Sequence, residues 1–141
     1  MSKLSINKTV EIKAPVSKVW KLFTDPVLTR QMGGEYVSDW QVGSSFSWKG
    51  LDGKLYTNSA IVNIIPEKLL RHNNFKLEDT ERKGEIISII TYEFKEENRK
   101  TTISTTEDFP EPLSDELYSD LSNGWNIVLM EIKQMAEKGK L

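Results

Sequence analysis

The sequence predicts an α+β fold in which an antiparallel sheet carries a long C-terminal helix across one face. Three observations predict it. Apolar residues alternate near the N-terminus and again through much of residues 36–107, the period of half-buried strands. They recur at three- and four-residue spacing in residues 16–23 and from Leu117 onward, the period of a helix with one buried face. Turn residues between the central segments are spaced for a meander and leave no room for βαβ crossovers.

The first strand rests on Leu4, Ile6, Val10 and Ile12, with Lys8 out of step, and Ala14-Pro15 ends it. Pro15 suits a first helical turn, and Val16, Val19, Trp20 and Phe23 continue a helix that Asp25-Pro26 stops. Asp25 is an N-cap with Pro26 at the first helical position, so a second short helix runs to about Met32 before Gly33-Gly34. Strand pattern follows from Tyr36 to Glu107. Phe46 and Trp48 share a face, Asp52-Gly53 makes a turn, and Leu55–Ile65 is stopped by Pro66. Leu70, His72 and Asn74 alternate next. The β-branched runs Ile86–Phe94 and Thr101–Glu107 flank a polar turn around Glu97-Asn98. Ser114 caps the last helix, with Asp115 and Glu116 in its first turn and Leu117, Leu121, Trp125, Val128, Leu129, Ile132 and Met135 on its apolar face. Gly124 interrupts it, which points either to close approach of sheet or ligand or to a helix start near Asn123.

A length of 141 residues fits one domain, 1–141, with neither repeat nor linker. Hydrophobic residues at 38% and charged residues at 28% are the balance of a soluble globular chain, not a membrane or disordered one. The net charge is −2, and no stretch gathers Lys and Arg, so nucleic acid is not expected as a partner. With no cysteine and one histidine, disulfides, thiol nucleophiles and Cys- or His-rich metal sites are excluded, and no cofactor is expected. No apolar run reaches the length of a bilayer span and the N-terminus has no apolar leader, so no membrane insertion is expected and the default location is the cytoplasm.

Several strings, in their order and spacing, carry a resemblance that runs nearly end to end. They are Ile12-Lys13-Ala14-Pro15-Val16-Ser17-Lys18-Val19-Trp20, Ser38-Asp39-Trp40-Gln41-Val42-Gly43, Ser47-Trp48-Lys49-Gly50 and Asn123-Gly124-Trp125 followed by Leu129–Lys133. Together they resemble the START-like (SRPBCC) superfamily and, within it, the family named after the C-terminal domain of the activator of the heat-shock-protein-90 ATPase. The resemblance implies a helix-grip fold, a curved sheet of about six or seven strands wrapped around the C-terminal helix with two short helices after the first strand. It also implies a cavity between sheet and helix for an apolar or amphipathic small molecule. Arg30-Gln31-Met32-Gly33-Gly34 stands where the family often carries a Trp, so the cavity mouth is expected to differ.

Strand alternation then proposes the lining. If Leu70 faces inward so do His72 and Asn74, and the same rule groups Ile90 with Tyr92 and Phe94, and Ile103 with Thr105 and Glu107. A slip of one residue would turn any set outward. With Trp48, Trp125 and Leu129, the expected ligand-binding set is Trp48, Leu70, His72, Asn74, Tyr92, Phe94, Thr105, Glu107, Trp125 and Leu129, apolar walls with a few oriented polar groups. The leading reading is a non-enzymatic binder of a small hydrophobic or aromatic molecule. One alternative is a cyclase- or hydratase-type enzyme with His72 or Glu107 as general base; the other, by analogy, is a module with a chaperone as protein partner.

Overall fold

Alternation in the first strand sets the architecture. In the computed structural model, which describes residues 4–138, β1 (Ser5–Ile12) buries Ile6 and Ile12 and leaves Asn7, Thr9 and Glu11 exposed. The unit expected over 1–141, and the N-terminal segment expected to lack an apolar leader, therefore extend beyond the described residues. Pro15 directs the chain into α1 (Val16–Thr24), which buries Val19, Leu22 and Phe23. Pro15 has no side chain able to cap this helix. Glu96, from a distant strand, accepts from the Val16 N–H at 2.7 Å instead and satisfies one of the open helical donors. Asp25 accepts from the Val27 N–H at 3.0 Å and caps α2 (Pro26–Thr29), which tightens into a 3-10 turn over Arg30–Met32. Gly33, at φ 108°, ends it in a left-handed conformation suited to glycine.

The described residues contain seven strands, divided between two sheets. β2 (Gly34–Val37) and β3 (Ser47–Gly50) pair as an antiparallel ribbon. β4 (Ser59–Ile65), β5 (Leu69–Asn74), β6 (Ser88–Glu97) and β7 (Lys100–Asp108) form a meander that β1 closes, giving the order β1-β7-β6-β5-β4. The division follows from residues 38–46, where Trp40 and Gly43 adopt positive φ and bend the chain. The ribbon meets the sheet near one place, through the Ser45–Ala60 bridge and the Phe46 N–H donated to the Ser59 carbonyl at 2.7 Å.

Three strand limits differ from the sequence pattern. The strand expected from Leu55 begins at Ser59, because Leu55 and Tyr56 bond back to Lys49 and Trp48. The strand expected from Ile86 begins at Ser88, with Ile86 and Ile87 exposed, and runs on to Glu97. Asn98 and Arg99 then both take positive φ between the paired Glu97 and Lys100, a two-residue turn whose twist matches that of the strands it joins.

Ser114 accepts from the Leu117 N–H at 3.1 Å and starts α3 (Asp115–Glu137), which buries Trp125, Leu129, Ile132 and Ala136 against the rest of the core. Leu117 and Val128, counted on its apolar face, are exposed. The helix runs through Gly124, which corrects the reading of a start near Asn123, and a Cβ built there meets nothing within 4 Å among the described residues, so the sheet does not approach it closely. Gly124→Ala therefore gains helix propensity at no steric cost. It should stabilise the protein by about 1 kcal/mol and raise the thermal midpoint by about 3 °C, read by calorimetry; an unchanged or lower midpoint would contradict the open surroundings.

Candidate ligand cavity

The meander and the ribbon do not close fully over the helices. Between them lies a cavity of about 360 Å³, in the size range of small-molecule sites. Leu22 and Phe23 of α1, Met32 of the 3-10 turn and Tyr36 of β2 form one side, with Phe46 and Trp48 at β3 beside them. Ser59 of β4, His72 and Asn74 of β5, and Ile90 and Tyr92 of β6 form the sheet wall, with Thr57 just before β4. Val128 and Glu131, both exposed on α3, stand at the mouth, and Ile132 lies behind them.

Ring contacts hold the wall in place. Tyr36 stacks on Phe46 at 4.3 Å and meets Trp48 edge-on at 4.8 Å, while Phe23 meets Tyr92 edge-on at 5.2 Å. Gly34 fixes the Trp48 ring, since a methyl at that position would collide with the ring and with the Lys49 carbonyl. Burial raises the Tyr36 phenol to about 12, slightly moderated by the neighbouring Tyr92, and burial also raises Tyr92 well above its usual value. Both stay protonated donors near neutrality.

His72 lies 4.7 Å from Phe46 and 6.0 Å from Tyr92, ring to ring, and is 4% exposed. Neither of its ring nitrogens has a hydrogen-bond partner. Each such atom forgoes about 1–3 kcal/mol. Burial drives the imidazole down from 6.5 to about 4; the nearby Asn74 side chain and Asn73 backbone offset this only in part, neither making a hydrogen bond of proper geometry.

Glu107 is arranged in the opposite way. Its Oε1 accepts from the Trp125 indole N–H at 2.9 Å and its Oε2 from the Ser88 hydroxyl at 2.7 Å. Ser88 in turn accepts from the Asn74 amide at 3.0 Å, and the Asn74 carbonyl accepts from Ser59 at 2.6 Å. One row of hydrogen bonds thus crosses β4, β5, β6 and β7 and ends on α3.

Of the residues proposed from strand alternation, the structure brings Trp48, His72, Asn74 and Tyr92 together at the cavity. The other six lie outside its lining. Leu70 and Leu129 are in the packed core, and Phe94 is held edge-on between Trp20 and Phe23. Thr105 is buried with its hydroxyl toward the Lys8 carbonyl, and Glu107 and Trp125 are bonded to each other. All three strand sets do face inward. Position separates them, because the hollow lies over only part of β4, β5 and β6, which leaves Leu70 and Phe94 in the packed core, while β7 contributes nothing to its lining. Sequence reasoning missed Leu22, Phe23, Met32, Tyr36, Thr57, Ser59, Val128, Glu131 and Ile132, and did not promote Phe46 or Ile90 to the lining. Phe46 and Ile90 were detectable, each two residues before a proposed member on the same strand face. Tyr36 carried no such signal, because the ribbon that swings it over the hollow depends on the bend at 38–46. Among the described residues no group of three or more His, Cys, Asp and Glu could hold a metal, and no helix is long and apolar enough to cross a membrane.

A sheet gripping a long C-terminal helix, with a side-chain-lined hollow beside it, defines the helix-grip class. The model of the Activator of Hsp90 ATPase homolog 1-like protein family matches residues 13–137, and the chain belongs to that family. Its fold is shared by ChR145 from Cytophaga hutchinsonii (25% identity, 97% of this chain and 96% of that one, TM-score 0.74). It is shared too by Aha1 from Colwellia psychrerythraea, solved as a dimer (20% identity, 98% and 99%, TM-score 0.74). CalU16 from Micromonospora echinospora is a third case (19% identity, 95% and 76%, TM-score 0.72). No curated protein matches the chain.

Two outcomes follow from the buried polar groups. The unfolded imidazole takes up a proton near pH 6.5 that the folded one refuses until about 4, so stability from neutral His72 is full above 6.5 and is lost as pH falls through that window. Urea titrations of the native protein should lose about 3 kcal/mol to this group between pH 7 and pH 4, and His72→Phe should lack that part of the slope; parallel pH curves would refute it. Glu107→Gln places an amide N–H against one of its two donors. It should cost about 1–3 kcal/mol and shift Trp125 emission, and unaltered stability and emission would show that the network is not structural.

Proposed function

We propose that the protein is a binding protein for a small hydrophobic or aromatic molecule, held in the cavity between the sheet, the ribbon and α3. The observation that carries this reading is the wall itself. Phe23, Tyr36, Phe46, Trp48 and Tyr92 present ring surface around about 360 Å³, with only a few polar atoms directed inward. Membership of a family whose fold typically binds hydrophobic ligands supports the same reading.

Holding the ligand, rather than transforming it, is favoured by the isolation of His72. A general base works in hydrogen-bond contact with a second titratable group or an orienting carboxylate, and among the described residues His72 makes no such hydrogen bond, its titratable neighbours being protonated tyrosines. Glu107, the other candidate base, spends both oxygens on Trp125 and Ser88 and does not line the cavity.

A thermal-shift panel of hydrophobic and aromatic metabolites tests the proposal. A binder at 100 times its dissociation constant should add about 2.7 kcal/mol and raise the midpoint by several degrees. Trp48→Ala should weaken that binder at least about ten-fold, and Trp125→Phe should lower the midpoint while leaving affinity alone. A flat response across the panel, or equal affinity in Trp48→Ala, would overturn the assignment.

A further inference from the structure

The charge inside the cavity is as informative as its shape. Among the described residues that line it none is a lysine or arginine, and the only carboxylate is Glu131, exposed at the mouth on α3. The titratable groups nearest His72 in the lining are Tyr36 from β2, on the opposite side, and Tyr92 beside it on β6, both protonated donors at neutral pH. His72 itself is buried and neutral, with one nitrogen that donates and one that accepts; neither is hydrogen-bonded among the described residues, and both are covered in this ring orientation, the residue meeting the hollow through its other atoms. Ser59 and Asn74 also reach the wall, but each is already bonded into the row that ends on Glu107.

Buried polar atoms without partners are uncommon in native proteins and call for a specific reason. Resting on the reading of the cavity as a ligand site, we infer that His72 is its specificity-determining residue, selecting uncharged ring compounds that carry one hydroxyl, carbonyl or amide and rejecting the carboxylates of the same skeleton. A hydroxyl can serve either imidazole nitrogen once the ring turns to uncover it, and so gives the orphaned atom its partner. A carboxylate would have to pass Glu131, shed its water, and lie among aromatic rings with no cation to pair with.

Calorimetric titration of the full chain at pH 7.5 with 2-methylnaphthalene, 2-naphthylmethanol and 2-naphthoate separates the terms, since the three share one ring system. The alcohol should bind roughly ten-fold more tightly than the hydrocarbon, and the carboxylate about a hundred-fold more weakly than the alcohol. In His72→Phe the hydrocarbon should bind as before while the alcohol loses its advantage. His72→Gln, which keeps a donor and an acceptor, should retain part of that advantage, and it serves where the Phe variant fails to fold. A carboxylate that binds as tightly as the alcohol overturns the charge selection, and an alcohol advantage that survives in His72→Phe overturns the role of His72, while in both cases the cavity remains a ligand site. Failure of all three probes, the hydrocarbon included, overturns the ligand-site reading and this inference with it.

Discussion

The carboxylate of Glu107 is where the two layers of this protein are fastened together. A carboxylate withdrawn from water is costly unless donors surround it, and here the donors come from a neighbouring strand and from the helix above. Each further donor in the row, from Asn74 to Ser88 and from Ser59 to Asn74, points the same way along the sheet. The strands are thereby held in one register, since a slip would break several of these bonds together and expose the apolar residues that alternate with them. The seating of Trp125 against Tyr92, at 5.8 Å, depends on the same bond, and with it the position of α3 over the sheet.

From that fastening the concave face divides in two. Over β7 and β1 the space is filled by Ile6, Ile12, Ile103 and Thr105, all buried beneath the helix. Over β4, β5 and β6 rings from α1 and the ribbon form most of the boundary, with Val128, Glu131 and Ile132 of the helix. Asn74 belongs to both halves, as a member of the hydrogen-bonded row and of the cavity wall. The packed half carries the stability, and the hollow half can present an unsatisfied imidazole without endangering the fold.

Periodicity made most of the architecture legible. The alternation of Leu70, His72 and Asn74 placed all three on the inner face, and the capping chemistry of Asp25 and Ser114 located two helix starts. What periodicity could not convey was distance along the sheet. Thr105 and His72 have the same orientation, yet one lies under packed side chains and the other against empty volume. That difference arises from the crossing of α3 and from the bend at Trp40 and Gly43, which lays the ribbon over one flank. Neither leaves a local pattern. Glu107 was placed on the correct face, but its role came from Ser88 and Trp125, residues 19 and 18 positions away in the chain.

The long helix is held at two stations. One is the Trp125 bond to Glu107; the other is its C-terminal turn, where Glu137 accepts from the Lys13 N–H at 2.8 Å and Lys133 reaches the Glu11 carbonyl at 2.9 Å. Between Trp125 and Lys133 the helix advances about 12 Å, and Val128 and Glu131 occupy that interval. The helix is therefore supported at either side of that interval and cannot lift without breaking one support. The stretch that carries Val128 and Glu131 is thereby held like a beam clamped at both ends, so that part of the cavity's rim cannot shift without one clamp letting go first.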